Sequence, residues 1–290
     1  MNRKFLSIVL PFLVIGMVPA FANISGDIEE NNVGEPNAFA TFERIGEYWF
    51  DETDGNGDYT TTQTSSGGFY HIDGYKKDHT RDSTTAFDGT TPSDLDINSR
   101  SDNNVLILVV YDDDTNVTAS EAIAEVKASE NLLRDQHSID YVTSTTSTSV
   151  QFDSTGETTC DDHLKDARDE ANWTTGNFGS WDVMIAITDN GFSDTGGACM
   201  RSYDATNVPD EDGQHPYIVI DMDGTHFDTE HLGMHEMTHA FGIDHTNASC
   251  SSQIPGIMAV NAANTQSCTE QITNWIPSND DDMESNRLWY

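Results

Sequence analysis

The sequence predicts an α/β fold built on a mostly parallel sheet over residues 104–290, and three observations carry that prediction. Short apolar runs rich in β-branched residues recur at 105–111 (VLILVVY), 181–188 (WDVMIAIT) and 217–221 (YIVID), the pattern of strands buried on both faces. Helical spacing fills the intervals: Ala122, Ile123, Val126, Ala128, Leu132 and Leu133 form one stripe across 119–137, and a more polar helix is expected at 161–173. The order strand, helix, strand, helix, strands and a last helix supplies the crossovers that parallel neighbours require.

In chain order, Arg3 and Lys4 precede an apolar stretch at 5–18 that ends in Ala20-Phe21-Ala22, so residues 1–22 read as a secretory signal peptide. The apolar stretch is shorter than the ~20 residues a bilayer needs, so an exported chain without stable membrane insertion is expected. No cysteine lies near the signal, which argues against a lipid anchor. Residues 23–103 are rich in Thr, Ser, Gly and Asp; strands are expected at 38–50 and 68–75, and 84–104 reads as a linker. From residue 104 onward, 105–111 is a central strand, 139–151 holds a strand or hairpin, and 198–203 is an edge strand followed by an acidic, proline-containing loop. After 217–221 comes a helix whose start is marked by Thr225 and Asp228, as a capping box or a direct Asp228 cap.

That last helix carries His235-Glu236-Met237-Thr238-His239-Ala240-Phe241-Gly242-Ile243-Asp244-His245. Positions i and i+4 share a helix face, so His235 and His239 can offer imidazole nitrogens to one ion, with Glu236 beside them as a base for water on the metal. A third ligand at His245 requires the chain to leave the helix, and Gly242 tolerates the left-handed turn that allows it. Three neutral histidines leave zinc its full charge and an open position. His226 and His231 lie nearby and read as surface or supporting residues rather than ligands. An HExxH pattern alone also fits an ordinary amphipathic helix; the Gly and His at the later offsets decide for metal.

This string resembles the zinc signature of the metzincin metallopeptidases. Met258, in Pro255-Gly256-Ile257-Met258-Ala259, stands where those enzymes carry a methionine turn under the metal, and the order of elements resembles the adamalysin-like members. Two departures leave the subfamily open: Thr246 follows the third histidine, and Val260 stands where astacin-like and serralysin-like enzymes place a tyrosine ligand. The resemblance implies a cleft between the sheet and an irregular C-terminal part, an antiparallel edge strand that pairs with an extended peptide, and hydrolysis of that peptide by a secreted zinc endopeptidase. A secreted zinc-binding surface protein without proteolysis, or an amidase acting on cell-envelope peptides, are the alternatives. Residues 23–103 are then either a propeptide or a small accessory domain. With no cysteine in that stretch, a block of the zinc would fall to a carboxylate, to His71 or His79, or to steric cover.

Acidic residues outnumber basic ones 50 to 13, a net charge of −37, which excludes nucleic acid and anionic membrane as expected partners. It also fits a saline habitat, where salt screens the self-repulsion. Asp54-Gly55-Asn56-Gly57-Asp58 spaces oxygens like the start of a calcium loop but lacks the later glycine and closing glutamate, so Ca²⁺ there is the minority reading. Cys160, Cys199, Cys250 and Cys268 allow three pairings; Cys160 with Cys199 and Cys250 with Cys268 are expected in an exported chain. Asn116, Asn172 and Asn247 begin glycosylation sequons. A monomer is expected.

Overall fold

The structure, a computed structural model, describes residues 23–44, 47–60, 68–87, 89–143, 150–174, 177–194, 197–203, 209–210, 214–222, 229–244 and 277–290. The chain first builds a β unit. Strands β1 (Ser25–Glu30), β2 (Val33–Gly34), β5 (Asp58–Thr60) and β8 (Leu95–Asp96) form one sheet, with β8 parallel to β1. Strands β4 (Glu47–Glu52), β3 (Phe39–Arg44), β6 (Phe69–Tyr75) and β7 (Asp82–Phe87) form a second, antiparallel sheet in that order. Alternate residues point inward, so Ala40 and Phe42 of β3 meet Tyr70 and Ile72 of β6 and Ile28 of β1 in a core closed to water.

Residues 84–104 depart from the linker reading. Ala86, Leu95 and Ile97 are buried in this core, and the Ile97 N–H donates to the Glu29 carbonyl at 2.9 Å. Three apolar side chains in a Ser-, Thr- and Asp-rich stretch suffice to bind it down, a signal too sparse for a composition argument.

The α/β part follows. Its sheet runs β10 (Ile139–Thr143), β9 (Asn103–Asp112), β12 (Val183–Thr188), β15 (Gln214–Asp221), β13 (Ala198–Tyr203) and β14 (Pro209–Asp210), with β11 (Gln151–Phe152) also on β9. Pairings among β9, β10, β11, β12 and β15 are parallel, whereas β13 is antiparallel to β15. The continuous apolar runs are explained by the pleat. Val105, Ile107 and Val109 enter one core with Val183, Ile185 and Ile187, while Leu108, Val110, Met184 and Ala186 enter the other.

Helices α1 (Ala119–Ala128), α2 (Asn131–His137) and α4 (Thr229–Ala240) supply residues to the first core, and α3 (Cys160–Glu170) to the second. Thr118 and Glu121 make a reciprocal capping box at the start of α1. Where one helix was expected over 119–137, two form. Ser129 turns its hydroxyl back onto the Val126 carbonyl at 2.7 Å, ending α1 against α4 at Gly233, where an added Cβ would lie 2.5 Å from that of Ser129.

The tail from residue 278 reads as solvated from its acidic sequence, and the structure corrects this. Helix α5 (Pro277–Asn286) buries Asn279 and Met283, with Arg287 buried just beyond it. Its acids meet scarce cations: Asp281 lies 3.1 Å from His71, and Glu284 pairs with Arg100. No helix among the described residues is long and apolar enough to cross a membrane.

Candidate metal centre

Helix α4 is held by its apolar side: Met234 and Met237 are fully buried, and Leu232 and Ala240 nearly so. That packing leaves His235 and His239 half-buried, their rings edge to face with centroids 4.9 Å apart. The i, i+4 spacing thus brings the two imidazoles together on one helix face.

Beyond Ala240 the helix stops at once. Gly242 adopts φ +77°, its N–H donates to the His239 carbonyl at 2.7 Å, and the Phe241 N–H donates to Thr238 at 3.1 Å. The returning chain places the Ile243 carbonyl 2.7 Å from Nδ1 of His239. A carbonyl can only accept, so it fixes the proton on Nδ1 and puts the ring's lone pair on Nε2, the nitrogen a metal would take.

Glu236 lies between these residues in sequence and is 8% exposed. Among the described residues no hydrogen bond or ion pair satisfies its carboxyl, and burial pushes it up to about 8 against a weaker opposing pull from Arg201. An acidic group left in that condition is costly unless a cation stands beside it. The donor set of two adjacent imidazoles with a buried carboxyl beside them fits a divalent metal such as zinc.

His245, Met258, Cys250, Cys268, His226, the Thr225 and Asp228 cap and the Asn247 sequon fall outside the described residues. His231 sits one turn before His235 on α4 and is half-buried. His71 and His79, the histidines considered as blocks of the zinc, are engaged elsewhere: His71 on Asp281, and His79 on the Lys77 carbonyl at 2.6 Å and Glu30 at 3.8 Å. Cys160 and Cys199 form a disulfide that ties the first residue of α3 to β13.

The acidic segments separate clearly. Oδ1 of Asp54 accepts the N–H groups of Asn56 at 2.7 Å and Asp58 at 3.2 Å, which closes the turn before β5. Asp112, Asp113 and Asp114 bring carboxylate oxygens within 4.8 Å of one another and could hold a metal. Asp112 itself is fully buried, and its oxygens accept from Ser154 at 2.5 Å, Thr188 at 2.6 Å and the Asp114 N–H at 3.1 Å. Those bonds join the ends of β9 and β12, a tie that the run of three aspartates hinted at only by its position after an apolar strand.

No family model matches the sequence, and no curated protein matches it. Among solved structures, the chain is similar to metalloproteinase-II from Bacteroides fragilis at TM-score 0.39 and 11% identity, over 90% of this chain and 84% of that one. It is also similar to a chaperone–substrate complex at TM-score 0.35 and 10% identity, over 81% of this chain and 44% of the other. Similarity this low does not bear on the chain's activity.

Proposed function

We propose that this chain is a secreted zinc endopeptidase of metzincin type, with His235, His239 and His245 holding the metal and Glu236 acting as general base. The observation that carries the proposal is the pairing of His235 and His239, edge to face, with Glu236 buried next to them and no hydrogen bond or ion pair to its carboxyl among the described residues. When bound, zinc supplies the Lewis acidity that acidifies water and polarises a carbonyl. Glu236 takes the proton of the attacking water and returns it to the leaving amine, the role of a carboxylate that the helix sets beside the two imidazoles.

Strand β13 supports a peptide substrate. Among the described residues only Ser202 and Tyr203 pair outward, with β14, so Ala198–Arg201 offers a main-chain edge to an extended chain. The Cys160–Cys199 disulfide agrees with export. Met258 is assigned a packing role beneath the metal.

The test is hydrolysis of an unstructured protein by the purified secreted form, wild type beside Glu236→Ala, with zinc measured on both. Activity lost while zinc is retained is the expected result. A folded, zinc-loaded wild type that cuts neither proteins nor cell-envelope peptides would sink the proposal.

A further inference from the structure

The last four carbonyls of an α-helix have no partner within it, and how they are satisfied sets the geometry of the turn that follows. In α4 the partners come from two sources. The chain's own turn supplies the N–H groups of Phe241 and Gly242, to Thr238 and His239. Side chains from residues 286–290 supply two more: the Tyr290 hydroxyl donates to the Ala240 carbonyl at 2.6 Å, and Nδ2 of Asn286 donates to the Phe241 carbonyl just beyond the helix at 2.8 Å.

These donors are themselves fixed. The Asn103 side-chain amide, at the first residue of β9, donates to the carbonyls of Arg287 at 2.7 Å and Tyr290 at 3.2 Å. Nε of Arg287 donates to the His137 carbonyl at 3.0 Å, and the Tyr290 ring packs on Phe241 with centroids 5.3 Å apart. The turn they hold ends in Ile243, a buried residue whose carbonyl orients His239.

We propose that Asn286 and Tyr290 are positioning residues for His239: by holding the Ala240 and Phe241 carbonyls they fix the turn that presents the Ile243 carbonyl to Nδ1, and so aim Nε2 at the metal. This rests on the metal reading above. The tail acts through the helix end, on the Phe241 and Ala240 carbonyls. Loss of a partner one step removed from a metal ligand, here the Ile243 carbonyl, commonly changes metal affinity by about 10–100-fold, so the tail, a further step away, is expected at the lower end of that range.

The test uses the full secreted protein as wild type, Tyr290→Phe and Asn286→Ala. Tyr290→Phe keeps the ring on Phe241 and removes only the hydroxyl, so it guards against a variant that fails to fold. Zinc affinity is measured by competition with a chromophoric chelator, and the site is also read from the absorption spectrum of the cobalt(II)-loaded form. The expected result is a loss of zinc affinity of about tenfold in each variant, with a changed cobalt spectrum in Tyr290→Phe. Folded variants that bind zinc within a factor of about two of wild type, with an unchanged cobalt spectrum, would leave the tail a stabilising role only and overturn the proposal. A wild type that binds no zinc would overturn the metal reading itself, an outcome distinguishable because it appears before any variant is compared.

Discussion

Gly242 and Trp289 are in direct apposition: a Cβ added to Gly242 would lie 2.6 Å from the Trp289 ring, and the glycine's φ of +77° is one that side chains rarely adopt. Gly242→Ala therefore faces a backbone cost of about 1 kcal/mol and a steric cost in addition. In a Trp289→Ala background only the backbone part remains, so the two substitutions are expected to be non-additive. Urea unfolding of the four proteins in this cycle measures the difference, and strict additivity would mean that the indole swings aside freely.

Asp112 is a buried carboxylate that joins two strand ends through the hydroxyls of Ser154 and Thr188. Asp112→Ala leaves those hydroxyls and the Asp114 N–H without their acceptor, and is expected to cost about 3 kcal/mol. Thr188→Val removes one donor and should cost about 1 kcal/mol. Unfolding in the presence of a chelator isolates these hydrogen bonds from any cation held by the neighbouring aspartates.

The Cys160–Cys199 disulfide spans 39 positions. Replacing both cysteines by serine is expected to lower stability by about 3–4 kcal/mol through the freedom returned to the unfolded chain. A reductant should lower the wild type's unfolding midpoint to that of the double variant, and an unchanged midpoint would show that the ends are held equally well by packing.

His71 and Asp281 connect the β unit to α5, and hydrogen bonding to Asp281 raises the imidazole's pKa above 6.5 against the effect of burial. A histidine with a raised folded pKa contributes fully below its unfolded value and loses that contribution as pH rises through the folded one. The stability gap between wild type and Asp281→Asn should thus be larger at about pH 6 than at about pH 9. Both side chains are partly exposed, so the gap is at most about 1 kcal/mol and shrinks with added salt. A gap constant with pH would assign the contact to neutral hydrogen bonding.

Much of the α/β part was legible because burial on both faces writes itself into sequence: the runs containing Val109, Ile185 and Val219 form β9, β12 and β15. The i, i+4 spacing of His235 and His239 was equally direct, since a helix converts spacing into proximity. What stayed hidden depends on partners far away in the chain. Ser129 divides the expected helix because its hydroxyl prefers a nearby carbonyl and its Cβ meets Gly233. Leu95 and Ile97 belong to a core assembled from side chains of β1, β3, β5, β6 and β7, and the acidic α5 is docked because Arg100 and His71 wait for it. The roles of Asn286 and Tyr290 could not be seen from a tail whose composition reads as solvent-facing.

The long reach of the Asn103 amide also imposes an order in time. Its acceptors on Arg287 and Tyr290 lie 184 and 187 positions later, so this seam cannot close until residue 290 has been synthesised. The β unit, with its own core, has no such wait. Helix α4 emerges between them and spends the interval with its end unsealed, so a polypeptide interrupted after residue 276 would carry the complete histidine string without the closure that holds it.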